Sequence, residues 1–303
     1  MQHKYFVAFS ALAIAALMVT LPGQAAVQVL PEPTIDPDLQ AVVDSVVRGF
    51  RGEVGVYVQH IPSGRSAEVR ADVVFPSASL IKVPILINTV RQIEKGVLDI
   101  DAAFPFRDTL RTAGSGLLAG FRDGEMVTIR EMMLLMSSAS DNTAALWLQQ
   151  LGGSGAVINS WLDDHGYEKT KVNAGTPGRK RQWKQYNWGQ TTPREIARLF
   201  IGISEGNVVG PEGSRMIHNM LSRSFLDSEG LSPLPQWVKS ISKQGSVERS
   251  RSEVILVYSP SGPYVFAVLT KNIKDLSWSA DNEAFTLLRS LSAELWQFFE
   301  VGD

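Results

Sequence analysis

A chain of 303 residues with 31 acidic and 29 basic side chains has a net charge of −2, so its overall charge points neither to nucleic acid nor to another charged polymer, although a local patch can hide in a neutral total. Its length and 44% hydrophobic content suit one globular unit, or two closely packed lobes, with a sizeable core. The absence of cysteine excludes a thiol nucleophile, thiolate metal sites and disulfide staples, and His3, His60, His165 and His218 lack the paired spacing of a zinc site, so no metal or cofactor is expected.

His3 and Lys4 precede an apolar or small run from Phe6 to Leu21, which Pro22-Gly23 breaks before the small residues Gly23 and Ala25. The run is shorter than the ~20 residues that span a bilayer. Residues 1–25 therefore read as an export signal, and the mature chain as periplasmic or secreted and free of the membrane. Val27 to Ile35, with Pro31 and Pro33, reads as a linker. Asp36-Pro37 opens a helix with Leu39, Val42, Val43, Val46 and Val47 at helical spacing. Glu53 to Ile61 alternates as a strand, Pro62-Ser63-Gly64 turns, and Ser66 to Val69 returns.

Helical signals fill the middle. The spacing predicts a helix from Ser79 to Lys95, stopped by Gly96, and a capping box at Thr128-x-x-Glu131 before Met132 to Met136. Asn142 to Leu151 is helical and ends at Gly152-Gly153. Thr192-x-x-Glu195 is a second capping box, opening a helix through Ile196, Leu199, Phe200 and Ile203. Gly175 to Gly189 holds Arg179-Lys180-Arg181 and the rings Trp183, Tyr186 and Trp188 without a clean period, and reads as a long functional loop.

Strands return at Val238 to Gly245, Glu253 to Tyr258 and Tyr264 to Thr270, followed by a helix from Ala280 to Glu300 striped with Phe285, Leu288, Leu291, Leu295 and Phe299. The order predicts an α/β chain of the α+β type. An antiparallel five-stranded sheet from residues 26–75 plus 225–303, flanked by terminal helices, would carry an inserted all-helical lobe at 76–224.

Ser79-Leu80-Ile81-Lys82 places an alcohol and an amine three residues apart on one helix face, the arrangement a serine nucleophile and its base require. Alone the motif is weak, since Ser240-x-x-Lys243 is a second match. Ser140-Asp141-Asn142 at a helix entrance is an ordinary N-cap sequence, and Lys243 on a late strand is an ordinary edge lysine. Gly245 would let a substrate lie against the backbone. The three motifs in this order are far less ordinary than any one of them.

With those motifs the chain resembles the class A β-lactamase and penicillin-recognising serine hydrolase family. Gly114 to Leu118, Asp123-Gly124, the Ser140 to Ala145 run, Thr191-Thr192-Pro193 and Arg251 extend the likeness over nearly all of the mature chain. The resemblance implies a β-lactamase-like fold and a set of roles. Ser79 would be the nucleophile, Lys82 the base or water-positioning group, Ser140 the proton relay to the leaving nitrogen, and Lys243 the carboxylate anchor. Asn142, Gln244, Gly245, Ser246 and Arg251 would bind substrate, with the backbone N–H groups of Ser79 and Ser246 forming the oxyanion hole. It further implies a small-molecule partner, either a β-lactam or an acyl-D-Ala-like amide or ester, a monomer, and a part in antibiotic resistance or β-lactam catabolism.

Two departures stand out. Counting back from Thr191-Thr192-Pro193, the family's Ω-loop Glu falls on Thr176 and its Asn partner on Lys180, while the ends of its Arg–Asp bridge fall on Ala174 and Gly189. No Asp or Glu lies between Glu168 and Glu195, so deacylation is expected to be impaired. Gln244 also replaces the usual Thr or Ser. Three functions follow: a β-lactamase, a penicillin-binding peptidase, amidase or esterase that is acylated without turning lactams over, and a non-catalytic binding module. The intact polar set argues against the third.

Overall fold

Asp36 turns the chain into its first helix, Pro37–Val47, by accepting from the backbone N–H groups of Asp38 and Leu39 at 3.0 Å each, with Pro37 in the first turn where no donor is needed. Leu39 and Val43 on its inner face meet Phe285, Leu288, Leu291 and Leu295 of the terminal helix Glu283–Glu300 over one face of a sheet. Truncating Leu39 to Ala at such a wholly buried position costs about 2–5 kcal/mol. The computed structural model describes residues 30–222 and 224–300, so the export signal expected at 1–25 lies outside the described residues. From Pro31 onward the chain forms one compact unit.

The sheet runs in the order Thr34–Ile35, Arg65–Val69, Glu53–His60, Gly262–Lys271, Ser250–Ser259, Lys239–Val247. The last five are antiparallel, as expected. The sixth falls in the expected linker: Thr34 and Ile35 pair in parallel with Arg65 and Ser66, and two residues carry no periodic signal. Helix Pro193–Glu205 covers the other face of the sheet, against strands Glu53–His60, Ser250–Ser259 and Gly262–Lys271.

Helix Lys82–Glu94 stands in the middle of the helical elements, packed by Ile129–Ser138, Asn142–Leu151, Ser154–Asp164 and Pro211–Leu221. It was expected to begin at Ser79. Pro84 has no N–H to donate to Leu80, so the first turn, Ala78–Ile81, winds as a 3₁₀ helix and the α-helix starts at Lys82. The Thr128 capping box is complete, with Glu131 N–H on Thr128 Oγ1 at 3.1 Å and Thr128 N–H on Glu131 Oε2 at 2.7 Å. The second is half a box. Thr192 Oγ1 accepts from Glu195 N–H at 3.1 Å, but the Glu195 carboxylate turns to Lys169 N–H at 3.0 Å and Thr170 Oγ1 at 2.6 Å. Among the described residues no helix is long and apolar enough to cross a membrane.

Candidate active site

The 3₁₀ turn carries Ser79 and delivers Lys82 one turn later, largely buried. Lys82 Nζ lies 3.1 Å from Ser79 Oγ, 3.0 Å from Ser140 Oγ and 2.8 Å from Asn142 Oδ1, and it also donates to the Ser140 carbonyl. An ammonium has three donors for these four oxygens, whereas a neutral amine has a lone pair to which a serine hydroxyl donates. Burial holds the Lys82 amine well below the usual lysine range, the Lys243 charge adds to that, and Asp141 opposes it.

Ser140 reaches this position because its backbone is left-handed, with φ +55°, at the junction of helices Ile129–Ser138 and Asn142–Leu151. Ala78, next to Ser79, is also left-handed with φ +45°. For side chains other than glycine such backbones cost about 1–3 kcal/mol each and persist where surrounding structure over-determines them. Asp141 provides part of that determination. One carboxylate oxygen caps the Asn142 helix through Ala144 N–H at 2.8 Å, and the other takes Leu117 N–H at 2.6 Å and Leu118 N–H at 2.7 Å. This clamps the Gly114–Leu118 segment beside the site. A Cβ on Gly116 would lie 2.3 Å from Asp141 Oδ2, so only glycine fits there. Asn142 Nδ2 donates to the Ala113 carbonyl at 2.9 Å while its Oδ1 receives Lys82.

Strand Lys239–Val247 closes the opposite wall. Lys243 Nζ donates to Ser140 Oγ at 3.2 Å and to the Gln244 carbonyl at 2.8 Å, so the Ser140 hydroxyl lies between two lysines. Burial lowers the Lys243 pKa to about 8, with the Glu253 charge opposing. Glu253, buried in the neighbouring strand, is raised to about 8, chiefly by desolvation. Gly245 is required by contact: a Cβ there would stand 2.9 Å from both the Ser79 N and the Ser77 carbonyl oxygen, and 2.6 Å from Leu80 Cδ1. The second S-x-x-K match resolves differently. Ser240 and Lys243 are an odd number of residues apart on one strand, so their side chains leave opposite faces.

The same alternation moves Arg251 and Gln244 away from Lys243. Arg251 pairs with Ser246 and Glu253 with Gln244, whereas Lys243 pairs with Val254 on the other face. Arg251 is wholly buried. Its guanidinium donates to the carbonyls of Val247, Ser250 and Ser277, and it stacks 3.8 Å from the Trp278 ring centroid and 5.3 Å from that of Phe285. The expectation that Arg251 binds substrate is corrected: its hydrogen bonds and stacking hold the segment before the terminal helix. Gln244 is half-buried on that same face, and Ser246 Oγ is buried without a partner.

The loop read between Gly175 and Gly189 contains a short helix, Lys180–Tyr186, whose seven residues are too few to show a period and none of which is buried. Trp188 ends it. Its carbonyl takes Asn173 N–H at 2.9 Å and Ala174 N–H at 3.0 Å, and its ring centroid lies 5.7 Å from Lys82 Nζ. Gly189 carbonyl accepts Ser77 N–H at 2.9 Å, joining the loop to the turn that carries Ser79. The expected bridge positions hold Ala174 and Gly189, yet the loop has a staple: Arg179 Nε donates to Asn173 Oδ1 at 2.7 Å and its Nη2 to Gln190 Oε1 at 3.0 Å. Thr176 turns to the Ala174 carbonyl at 3.2 Å and against Gly155, where a Cβ would lie 1.9 Å from its Oγ1.

Among the described residues no carboxylate oxygen hydrogen-bonds Ser79, Lys82 or Ser140, and no group of three His, Cys, Asp or Glu forms a metal cradle. The geometry thus joins Ser79, Lys82, Ser140, Asn142 and Lys243 in one network, sets Gly245 against Ser79, and leaves out Arg251. Trp188 and Arg179 were not assigned a role from sequence; only the ring content and basic run of their loop signalled them.

Residues 37–299 match the model of the beta-lactamase enzyme family. A beta-lactamase of Mycobacterium tuberculosis is 27% identical over 231 residues, 74% of this chain and 74% of that one. Among solved structures, PBP-A covers 90% of this chain and 100% of its own with a TM-score of 0.80 at 25% identity. A PBP-A mutant in an acyl-enzyme complex with penicillin G gives the same TM-score and coverage at 26% identity.

Proposed function

Because the chain belongs to the beta-lactamase enzyme family, we propose that it is a serine hydrolase whose Ser79 is acylated by β-lactams and whose acyl-enzyme is released slowly. The observation that carries this is Lys82 Nζ within hydrogen-bond distance of both Ser79 Oγ and Ser140 Oγ, with Lys243 on the far side of Ser140.

In this reading neutral Lys82 takes the proton as Ser79 Oγ attacks the lactam carbonyl carbon. The oxyanion is met by the Ser79 and Ser246 N–H groups, worth several kcal/mol in comparable sites. The C–N bond then breaks as Ser140 Oγ gives its proton to the leaving nitrogen and recovers one from the Lys82 ammonium, leaving an ester on Ser79. Charged Lys243 holds the substrate carboxylate, and Asn142 meets the acyl amide. Hydrolysis of the ester needs an activated water. The loop offers no carboxylate for it, and the Trp188 ring lies over the Lys82 side of the site. Loss of a general base lowers a rate by about 10²–10⁴.

The missing carboxylate also supports a second reading, a penicillin-binding peptidase, amidase or esterase inhibited by β-lactams, and the neighbouring PBP-A structures include a mutant as an acyl-enzyme complex with penicillin G. Both readings take residues 1–25 as an export signal and the mature chain as a monomer acting outside the cytoplasm. A chromogenic cephalosporin separates slow release from efficient turnover: slow release gives a burst near one equivalent and then a slow steady state. Burst-free turnover at a rate typical of enzymes would contradict the reading.

A further inference from the structure

The oxygens that meet Lys82 Nζ are all uncharged: two hydroxyls, a carbonyl and an amide oxygen. Such a set serves either form of the amine, because a hydroxyl accepts from an ammonium and donates to a lone pair. The surroundings decide between the forms. The side chains buried by helices Ile129–Ser138, Asn142–Leu151, Ser154–Asp164 and Pro211–Leu221 are uncharged, and the short helix Lys180–Tyr186 buries none of its own. The charges that act on Lys82 are Lys243, from strand Lys239–Val247, and Asp141, at the entrance to helix Asn142–Leu151, and they oppose each other. An ammonium without a carboxylate partner depends on water, and Lys82 is only 1% exposed.

The amine has an apolar neighbour in Trp188. Nζ lies over its ring, 5.7 Å from the centroid, and Trp188 itself is half-buried. The backbone on both sides of the ring is held. Asn187 N–H donates to the Trp183 carbonyl at 2.8 Å, and the Trp188 carbonyl accepts from Asn173 and Ala174. Gly189 is pressed on the 3₁₀ turn, where a Cβ would lie 2.5 Å from Ile81 Cγ1. Between these anchors Asn187 takes φ +59° and ψ −134°, a backbone open to glycine and costly for asparagine. Strain of this kind persists where the surroundings over-determine it, and it is a reason to look for function in what it aims. Asn187 aims Trp188.

We propose that Trp188 is a positioning residue for Lys82: its ring stands between the amine and solvent, denies water to the ammonium form, and so keeps Lys82 neutral and able to take the Ser79 proton. The inference rests on the reading of Lys82 as the base of acylation and adds the residue that governs its charge. A ring face also attracts a cation, which acts in the opposite direction. At 5.7 Å that attraction is near the end of its ~6 Å reach, whereas burial moves a lysine pKa by up to ~3–5 pH units. Exclusion of water wins, in line with burial as the main cause of the lowered Lys82 pKa.

The test is an NMR titration of the mature protein carrying carbon-13 at the lysine ε-carbon, with the Lys82 and Lys243 signals assigned by their absence from Lys82→Gln and Lys243→Gln. In Trp188→Ala the Lys82 midpoint is expected about one pH unit above wild type, a tenfold gain in proton affinity. The Lys243 midpoint should not rise, because a more persistent charge on Lys82 disfavours its own. Trp188→Leu, apolar but without a π face, should keep the wild-type Lys82 midpoint, and Trp188→Gln, similar in size to leucine but polar, should raise it. If Trp188→Ala does not fold, the leucine and glutamine variants carry the comparison. The acid limb of acylation by benzylpenicillin should move with the Lys82 midpoint in each variant. If benzylpenicillin leaves the wild type unlabelled, the acyl-enzyme reading has failed, and the titration still decides the role of Trp188. A Lys82 midpoint that stays put in Trp188→Ala, or falls as loss of ring attraction would make it, overturns the proposal. So does Trp188→Leu behaving as Trp188→Gln, or a joint rise of the Lys82 and Lys243 midpoints, which marks a site loosened as a whole.

Discussion

Gly245→Ala adds one methyl group where the strand touches the turn that carries Ser79. The new Cβ would lie 2.6 Å from Leu80 Cδ1 and 2.9 Å from both the Ser77 carbonyl oxygen and the Ser79 N. Carbon contacts are comfortable at about 3.5–4.0 Å, so roughly 1 Å of room is missing. Leu80 is wholly buried and the other two atoms are backbone, which leaves the strand itself to move. Overpacking of this kind costs about 1–3 kcal/mol. The shift also separates Ser246 from Ser79, and a 1 Å misplacement in a catalytic array costs about 10² in rate. The expected variant is folded by circular dichroism, melts several degrees lower and is acylated by benzylpenicillin about 10²-fold more slowly. Gly120→Ala, where the Cβ meets nothing within 4 Å, is the control and should match wild type. Wild-type acylation by Gly245→Ala would refute the contact between the strand and the Ser79 turn.

The proposed mechanism requires Lys82 neutral and Lys243 charged for acylation. Its rate should therefore rise with pH through the lowered Lys82 pKa and fall above about 8 as Lys243 loses its proton. A pH–rate profile still climbing near pH 10, the unperturbed lysine range, would contradict this. Arg251→Met should destabilise the fold by about 2–4 kcal/mol, from lost carbonyl hydrogen bonds and ring stacking, while the folded fraction acylates normally. Denaturant melts paired with acylation rates check it; normal stability with weakened binding of carboxylate substrates would restore Arg251 to the site. Lys243→Ala should lower acylation by carboxylate-bearing lactams about 10²-fold more than acylation by neutral esters, the scale of a charged hydrogen bond. Equal losses for both substrate types would remove the anchor role.

What was legible in the sequence was what is local along the chain. Ser79 and Lys82 sit three residues apart at a helix entrance, and the distance between their functional atoms follows from that spacing. Asn142 to Leu151 ends where Gly152 begins, and Thr128 with Glu131 caps as an isolated motif would. What escaped depends on partners far along the chain. The face that Arg251 takes follows from its pairing with Ser246, a register that no local pattern states. The Glu195 carboxylate abandons its capping box for Lys169 and Thr170, 26 and 25 residues away. Helices Ser154–Asp164 and Pro211–Leu221 carry no side-chain N-cap that would mark them in sequence, and Lys180–Tyr186 is under two turns long. Trp188 and Arg179 meet Lys82, Asn173 and Gln190 only once the loop is folded, so their composition was visible and their function was not.

The proposed function turns on a covalent ester on Ser79 that outlives its formation. Intact-mass spectrometry of the mature protein mixed with excess benzylpenicillin tests it most directly, with Ser79→Ala run beside it. The expected result is a stoichiometric mass gain of one penicillin that decays far more slowly than it forms, mapped by peptide digestion to Ser79 and absent from the variant. Rapid loss of free penicillin with no adduct at any time, or an adduct that persists in Ser79→Ala, would contradict it.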